Sequence, residues 1–358
     1  MTKEKNLAVV AYAPEDYKLE EVALPKVGEE EVLLKVKAAG ICASDIKCYH
    51  GAKRYWQGPP APYVKAPFIP GHEFIGEVVE VGSSAAKKWG IKVGDKAIAE
   101  QILPCWECRY CKSGKYWMCE RNYVFGFHGG IDDGAWAEYM KFPPGSIIHK
   151  VPKDLPDKWG AMIEPLSCAI HAVERADIEF SDTVVISGTG SIGLCMLQVA
   201  KLKSPQKIIA LDTKDDRLKI AKDLGADVAI NVTREDAVKA VLDLTEGYGC
   251  DVYIEAAGHP NSVKQGLQMI RKLGRYVEFG VFAEETCLDW SVVGDQKELD
   301  IRGSHLGPYC YPLAIDYLYK GIIKVDKIVT HTFPLKEFEK ALQLALKGDN
   351  SIKILLIP

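Results

Sequence analysis

Apolar and polar positions change rhythm near the middle of the chain. Up to about residue 150, apolar residues come in short, β-branched, partly alternating runs. Glu31-Val-Leu-Leu-Lys-Val-Lys-Ala and Gly76-Glu-Val-Val-Glu-Val read as strands. Pro25, Gly28, Pro70-Gly71, Gly82 and Gly94-Asp95 punctuate them, and antiparallel β fits this texture better than α/β. From about residue 160, strands and helices alternate. Thr183–Ser187 reads as an apolar strand, 192–202 as a helix, and 207–211 as a second strand. Asp215–Leu224 is amphipathic, with Leu218, Ala221 and Leu224 on one face. Further strands are expected at 251–254 and 275–279, and repeated βα units imply a doubly wound parallel sheet. The chain ends in an apolar strand, 352–357, expected to pair back onto the first part.

One segment departs from both rhythms. Gly51 to Pro70 carries Pro59, Pro60, Pro62, Pro67 and Pro70, with Tyr55, Trp56, Tyr63 and Phe68 between them. It reads either as a stiffened surface loop or as a wall over a pocket.

With 358 residues, about two domains are expected. The 45 lysines and arginines against 49 aspartates and glutamates argue against a nucleic-acid or anionic-membrane partner. The stretch 183–200 is uncharged and approaches the ~20 residues of a membrane span. Gly188, Gly190 and Gly193 make it a strand, a turn and a helix instead. The first residues lack a secretory h-region, so a cytoplasmic protein is expected. There the 11 cysteines favour metal binding or packing over disulfides.

Gly188-Thr-Gly190-Ser-Ile-Gly193 fits G-x-G-x-x-G directly between a strand and a helix, the context a dinucleotide loop requires. Asp212 ends the next strand, placed to accept from both ribose hydroxyls and to repel a 2′-phosphate, which favours NAD over NADP.

Cys105, Cys108, Cys111 and Cys119 lie within one short loop. That spacing suits a closed four-thiolate zinc site, structural rather than catalytic, with an iron–sulfur cluster or disulfides as alternatives. Cys42, the Gly71-His72-Glu73 turn and Glu164 add one thiol, one imidazole and two carboxylates, the donor types of an open zinc site. The remaining cysteines match no metal template and read mainly as small buried hydrophobes.

On these motifs the chain resembles the zinc-dependent medium-chain dehydrogenases/reductases over essentially its whole length. The residues that carry the resemblance are Gly71-His-Glu-x2-Gly76-x5-Gly82-x2-Ala85, the four-cysteine lobe and the glycine loop. The resemblance implies a GroES-like β-rich catalytic domain at 1–160, an inserted Rossmann NAD domain at 161–298, and a return to the catalytic domain at 299–358. It also implies two zinc ions per chain, NAD, an active site in the cleft, and a homodimer or homotetramer.

Glu164-Pro-Leu makes it most similar to the sorbitol, threonine and butanediol dehydrogenase branch. By that resemblance Cys42, His72 and Glu73 bind the catalytic zinc, and Glu164 binds through water or exchanges with Glu73. Asp45 orients His72, and Ser44 hydrogen-bonds the substrate hydroxyl and starts the proton relay. Arg217 covers the adenosine and Ile192 backs the nicotinamide. Phe279, Gly280, Val281, Ser304 and His305 fall where the family touches the nicotinamide half. Lys47 stands where the family's relay often has a histidine, which leaves His50 as a substitute or Lys47 as a cofactor contact.

The loop with Tyr55 and Trp56 resembles that of erythritol/threitol-type enzymes. A short polyol oxidised at a secondary alcohol is therefore the expected substrate, with L-threonine and 2,3-butanediol as competitors. A non-catalytic NAD-binding relative is the reading from a different class.

Overall fold

The computed structural model describes residues 4–58 and 61–358, so Pro59 and Pro60 of the proline-rich segment lie outside the described residues. The chain forms two compact units, residues 1–164 with 311–358, and residues 165–310.

The first unit is built on a seven-stranded sheet. Its central strand, Val32–Gly40, pairs antiparallel with Phe74–Val81, with Tyr139–Phe142 and with the C-terminal strand Lys353–Ile357. Lys96–Ala99 and Ile148–Val151 extend it on one side, and Val329–Pro334 on the other. The expected antiparallel β texture and the terminal pairing are both present. The alternation of Val32–Gly40 is blurred because both its faces are largely covered.

The second unit is a six-stranded, all-parallel sheet. The order is Val228–Asn231, Lys207–Asp212, Thr183–Ser187, Cys250–Glu255, Ile270–Glu278, Asp300–Gly303. Numbered within the unit this is 3-2-1-4-5-6, the doubly wound order of dinucleotide-binding sheets. Val185, Ile209, Leu211, Tyr253 and Met269 are among its buried core. Both faces of such a sheet are covered, which is why its strands read as continuous apolar runs.

The boundaries differ from those expected at 160 and 299. The first unit ends at Glu164, and the return begins at Tyr311, twelve residues late, because Asp300–Gly303 is the sixth strand of the parallel sheet. That strand is short and mostly exposed, so it carries no apolar run to mark it. No helix among the described residues is long and apolar enough to cross a membrane.

Candidate active site

Three adjacent strands of the first unit assemble one polar cluster. Cys42 follows the end of Val32–Gly40, while His72 and Glu73 precede the antiparallel neighbour Phe74–Val81. The Gly40 N–H donates to the Glu73 carbonyl at 2.7 Å, so residues 33 positions apart lie side by side. Gly71 has φ +100, and a Cβ there would strike the Trp136 indole, so the turn before His72 requires glycine.

Cys42, His72 and Glu73 each offer a ligand atom within 4.8 Å of the others. Cys42 is the N-cap of the helix Ala43–Tyr49, and its backbone N–H donates to Asp45 Oδ2 at 2.8 Å. Asp45 Oδ1 faces His72 Nδ1 at 3.5 Å, and neither atom has a hydrogen-bond partner. Burial opposes charge on His72, but the Asp45 carboxylate and the Cys42 sulfur outweigh it and hold its pKa well above the ordinary range. The cluster therefore favours a cation at the imidazole, and one thiolate, one imidazole and a carboxylate are the donors an open zinc site uses.

Two partners that the sequence reading missed hold the carboxylates. Lys353, 2% exposed, opens the C-terminal strand and donates to Glu73 Oε1 at 2.6 Å and Oε2 at 2.5 Å. Desolvation pushes this ammonium towards neutrality, but the Glu73 and Cys42 charges overcome it and its pKa is raised. Glu164 instead accepts from Gln101 Nε2 at 2.7 Å, and it does not belong to the group within 4.8 Å. The signals were faint: one lysine in an apolar strand, and a polar pair, Glu100-Gln101, ending another.

Ser44 and Lys47 lie half-buried on the Ala43–Tyr49 helix. His50, the other relay candidate, is exposed and pairs with Glu15 at 2.9 Å. In the proline-rich loop the Trp56 indole donates to the Cys48 carbonyl at 2.7 Å. Tyr55 stacks on Phe127 at 5.6 Å, and Phe127 stacks on His72 at 5.8 Å. The loop is thus anchored beside the cluster, and its rings form an apolar wall reaching the imidazole.

The four-cysteine lobe stands apart from this cluster in sequence and in donors. All four sulfurs lie within 4.8 Å of one another, with Cys108–Cys111 at 3.5 Å and Cys105–Cys111 at 3.9 Å. A tetrahedron with ~2.3 Å metal–sulfur bonds has edges of about 3.8 Å, so the spacing already fits zinc. Backbone N–H groups of Cys111 and Glu120 pull the Cys108 thiol down to about 6, whereas burial pushes Cys111 up to about 12. Cys48, Cys168, Cys195, Cys250 and Cys310 are buried and Cys287 is exposed.

In the second unit the glycine loop joins Thr183–Ser187 to the helix Ser191–Leu202. Gly188 has φ +97, and a Cβ on Gly193 would strike the Gly188 carbonyl. Gly190 faces open space, with nothing within 4 Å of a Cβ placed there. The loop has room for a pyrophosphate where free helix N–H groups point, with Ile192 half-buried in the first turn. Asp212 Oδ2 accepts from the Thr189 amide at 2.7 Å and hydroxyl at 2.8 Å. Its Oδ1 accepts from the amides of Thr213 and Lys214 at 2.7 and 3.0 Å. These bonds fix the carboxylate at the strand end. Arg217 lies half-buried on Asp215–Leu224. Phe279, Gly280 and Val281 follow Ile270–Glu278, and Ser304 and His305 follow Asp300–Gly303. All are at the carboxyl edge of the sheet, where such folds bind ligands.

A metal-binding β unit and a dinucleotide-binding α/β unit in one chain define a metal- and nicotinamide-dependent oxidoreductase. Residues 28–153 match the alcohol dehydrogenase GroES-like domain and 191–320 the zinc-binding dehydrogenase domain. The erythritol/L-threitol dehydrogenase of Mycolicibacterium smegmatis is 52% identical over 99% of this chain and 98% of its own length. An L-threonine 3-dehydrogenase of Caldanaerobacter subterraneus is 36% identical over 94% and 93%. An alcohol dehydrogenase of E. coli CFT073, solved with NADH, superposes with a TM-score of 0.87 at 30% identity, covering 99% of this chain and 100% of that one. The chain belongs to the zinc-binding alcohol dehydrogenase family. It is a zinc-dependent enzyme that exchanges hydride with NAD.

Proposed function

We propose that this enzyme oxidises a secondary alcohol of a short polyol to a ketose, and reduces the ketose in reverse. The observation that carries the reading is Glu164, a buried hydrogen-bond acceptor whose charge acts on Lys353, the partner of Glu73. A simple alcohol has no second donor for that carboxylate, and a polyol has several. The 52% identity to an erythritol/L-threitol dehydrogenase supports the same choice.

Zinc bound by Cys42, His72 and Glu73 supplies Lewis acidity that eases loss of the alcohol proton, and NAD supplies the hydride acceptor. The chain's residues do the rest. Asp45 holds the imidazole of His72 in orientation. Ser44 accepts the hydroxyl proton as it gives its own to water, and Lys47, a donor only, contacts the cofactor from the same helix. Glu164 receives a second hydroxyl, and the Tyr55–Phe127 wall excludes water from the apolar side. Gly188, Gly190, Gly193 and Asp212 hold the pyrophosphate and ribose. Ile192, Phe279, Gly280, Val281, Ser304 and His305 hold the nicotinamide half, and Arg217 the adenosine. A cytoplasmic homodimer or homotetramer, as the family resemblance implies, completes the reading.

A panel of erythritol, threitol, sorbitol, L-threonine and 2,3-butanediol with NAD and NADP tests it. Highest kcat/KM on a tetritol with NAD is expected. Turnover of threonine with none on any polyol would overturn it.

A further inference from the structure

Glu164 is held by an arrangement whose polarity is set from one direction. The backbone N–H of Gln101 donates to the Tyr311 hydroxyl at 3.1 Å. That hydroxyl donates its proton to Gln101 Oε1 at 2.7 Å. With Oε1 committed, the amide must turn its nitrogen to Glu164, and Nε2 donates to Oε1 of the carboxylate at 2.7 Å. Gln101 and Tyr311 are both buried, at 1% and 0% exposure, so water does not compete for these bonds.

The tyrosine is itself braced. His149 stacks on its ring at 5.4 Å and 17°, and His149 Nε2 lies 3.0 Å from Glu100 Oε1. The other Glu100 oxygen accepts from Tyr116 at 2.7 Å. A glutamine free to flip could present either an acceptor or a donor, but this one can present only a donor.

We infer that Gln101 and Tyr311 are positioning residues for substrate choice. They hold Glu164 as a fixed acceptor for a hydroxyl adjacent to the reacting carbinol, so that vicinal diols are selected over mono-alcohols. The inference rests on the reading of Glu164 as a substrate contact. A site built to accept a substrate hydroxyl disfavours analogues lacking it, because the hydrogen bond to the charged acceptor is then not made. Loss of the lock lets the amide turn and the carboxylate drift, and the preference decays while the hydride chemistry remains.

The test is the ratio of kcat/KM for 2,3-butanediol to that for 2-butanol, with NAD, in the unaltered enzyme, Tyr311→Phe and Gln101→Met. Zinc content and thermal midpoint are measured alongside. The unaltered enzyme should favour the diol. In the variants the ratio should fall about ten- to a hundredfold, the scale of one hydrogen bond to a charged group. Should Gln101→Met fail to fold, Tyr311→Phe, which removes one oxygen, carries the test. An unchanged ratio in a folded variant, or equal loss on both alcohols, overturns the positioning role and leaves the polyol reading standing. Equal use of both alcohols by the unaltered enzyme overturns the polyol reading and this inference with it.

Discussion

In metal-free protein, removing the ammonium of Lys353 leaves the Glu73 carboxylate buried without its cation. Breaking a buried pair on one side costs about 3–5 kcal/mol, so Lys353→Met should lower the unfolding free energy of the metal-free protein by that order in urea melts. Adding Glu73→Gln should recover much of the loss, because no lone charge then remains. Equal losses in both backgrounds would show that the pair is not the source. Cys42 is the other decisive position. Cys42→Ser should reduce turnover by at least about 100-fold, more than loss of an outer contact to a metal ligand. NADH affinity by titration calorimetry should stay near that of the unaltered enzyme, since the glycine loop and Asp212 belong to the other unit. Surviving turnover would remove Cys42 from the metal site.

At the scale of elements, the glycine loop and the cysteine lobe are each held by short-range bonds. At the end of the second strand of the parallel sheet, Asp212 ties the glycine loop of the first strand through Thr189, and in the proposed function its carboxylate accepts from the ribose. Asp212→Ala should weaken NADH by roughly tenfold, about 1.4 kcal/mol, and narrow its advantage over NADPH, as read by fluorescence titration. A preserved NADH preference would assign ribose selection elsewhere. In the cysteine lobe the sulfurs already stand at metal spacing, so Cys108→Ser should cost one zinc per chain by elemental analysis and lower the thermal midpoint. Protons compete with metal for the four thiolates, so zinc release to a chromogenic chelator should rise as pH falls.

For the whole molecule the expectation is two zinc ions per chain and one dinucleotide. A relative with a decayed catalytic site would hold a single zinc, so metal stoichiometry separates an enzyme from a binding protein. NADH at about 100 times its Kd should raise the unfolding free energy by ~2.7 kcal/mol, seen as a concentration-dependent shift in thermal midpoint. Absence of any shift would mean that the parallel-sheet unit does not take the cofactor.

The cofactor loop and the cysteine lobe were legible in the chain because each is local. Gly188 to Gly193 is one strand–turn–helix junction, and Cys105 to Cys119 is one excursion, so backbone geometry over a few residues dictates the spacing. The buried parallel strands were legible for a related reason, since a strand covered on both faces must be apolar throughout. The exposed sixth strand, Asp300–Gly303, obeys no such demand, and the expected boundary fell twelve residues early there. Cys42, His72 and Glu73 were recognisable by type and turn, but only strand pairing sets them side by side. Lys353 and Tyr311 were not legible as site residues. Lys353 lies 280 positions from its carboxylate, and Tyr311 lies 210 from its glutamine. Sequence determined which donors the chain owns. Tertiary structure decided which carboxylate each partner holds, because a buried charge or amide takes its partner from whatever the fold brings within hydrogen-bond reach, irrespective of distance along the chain.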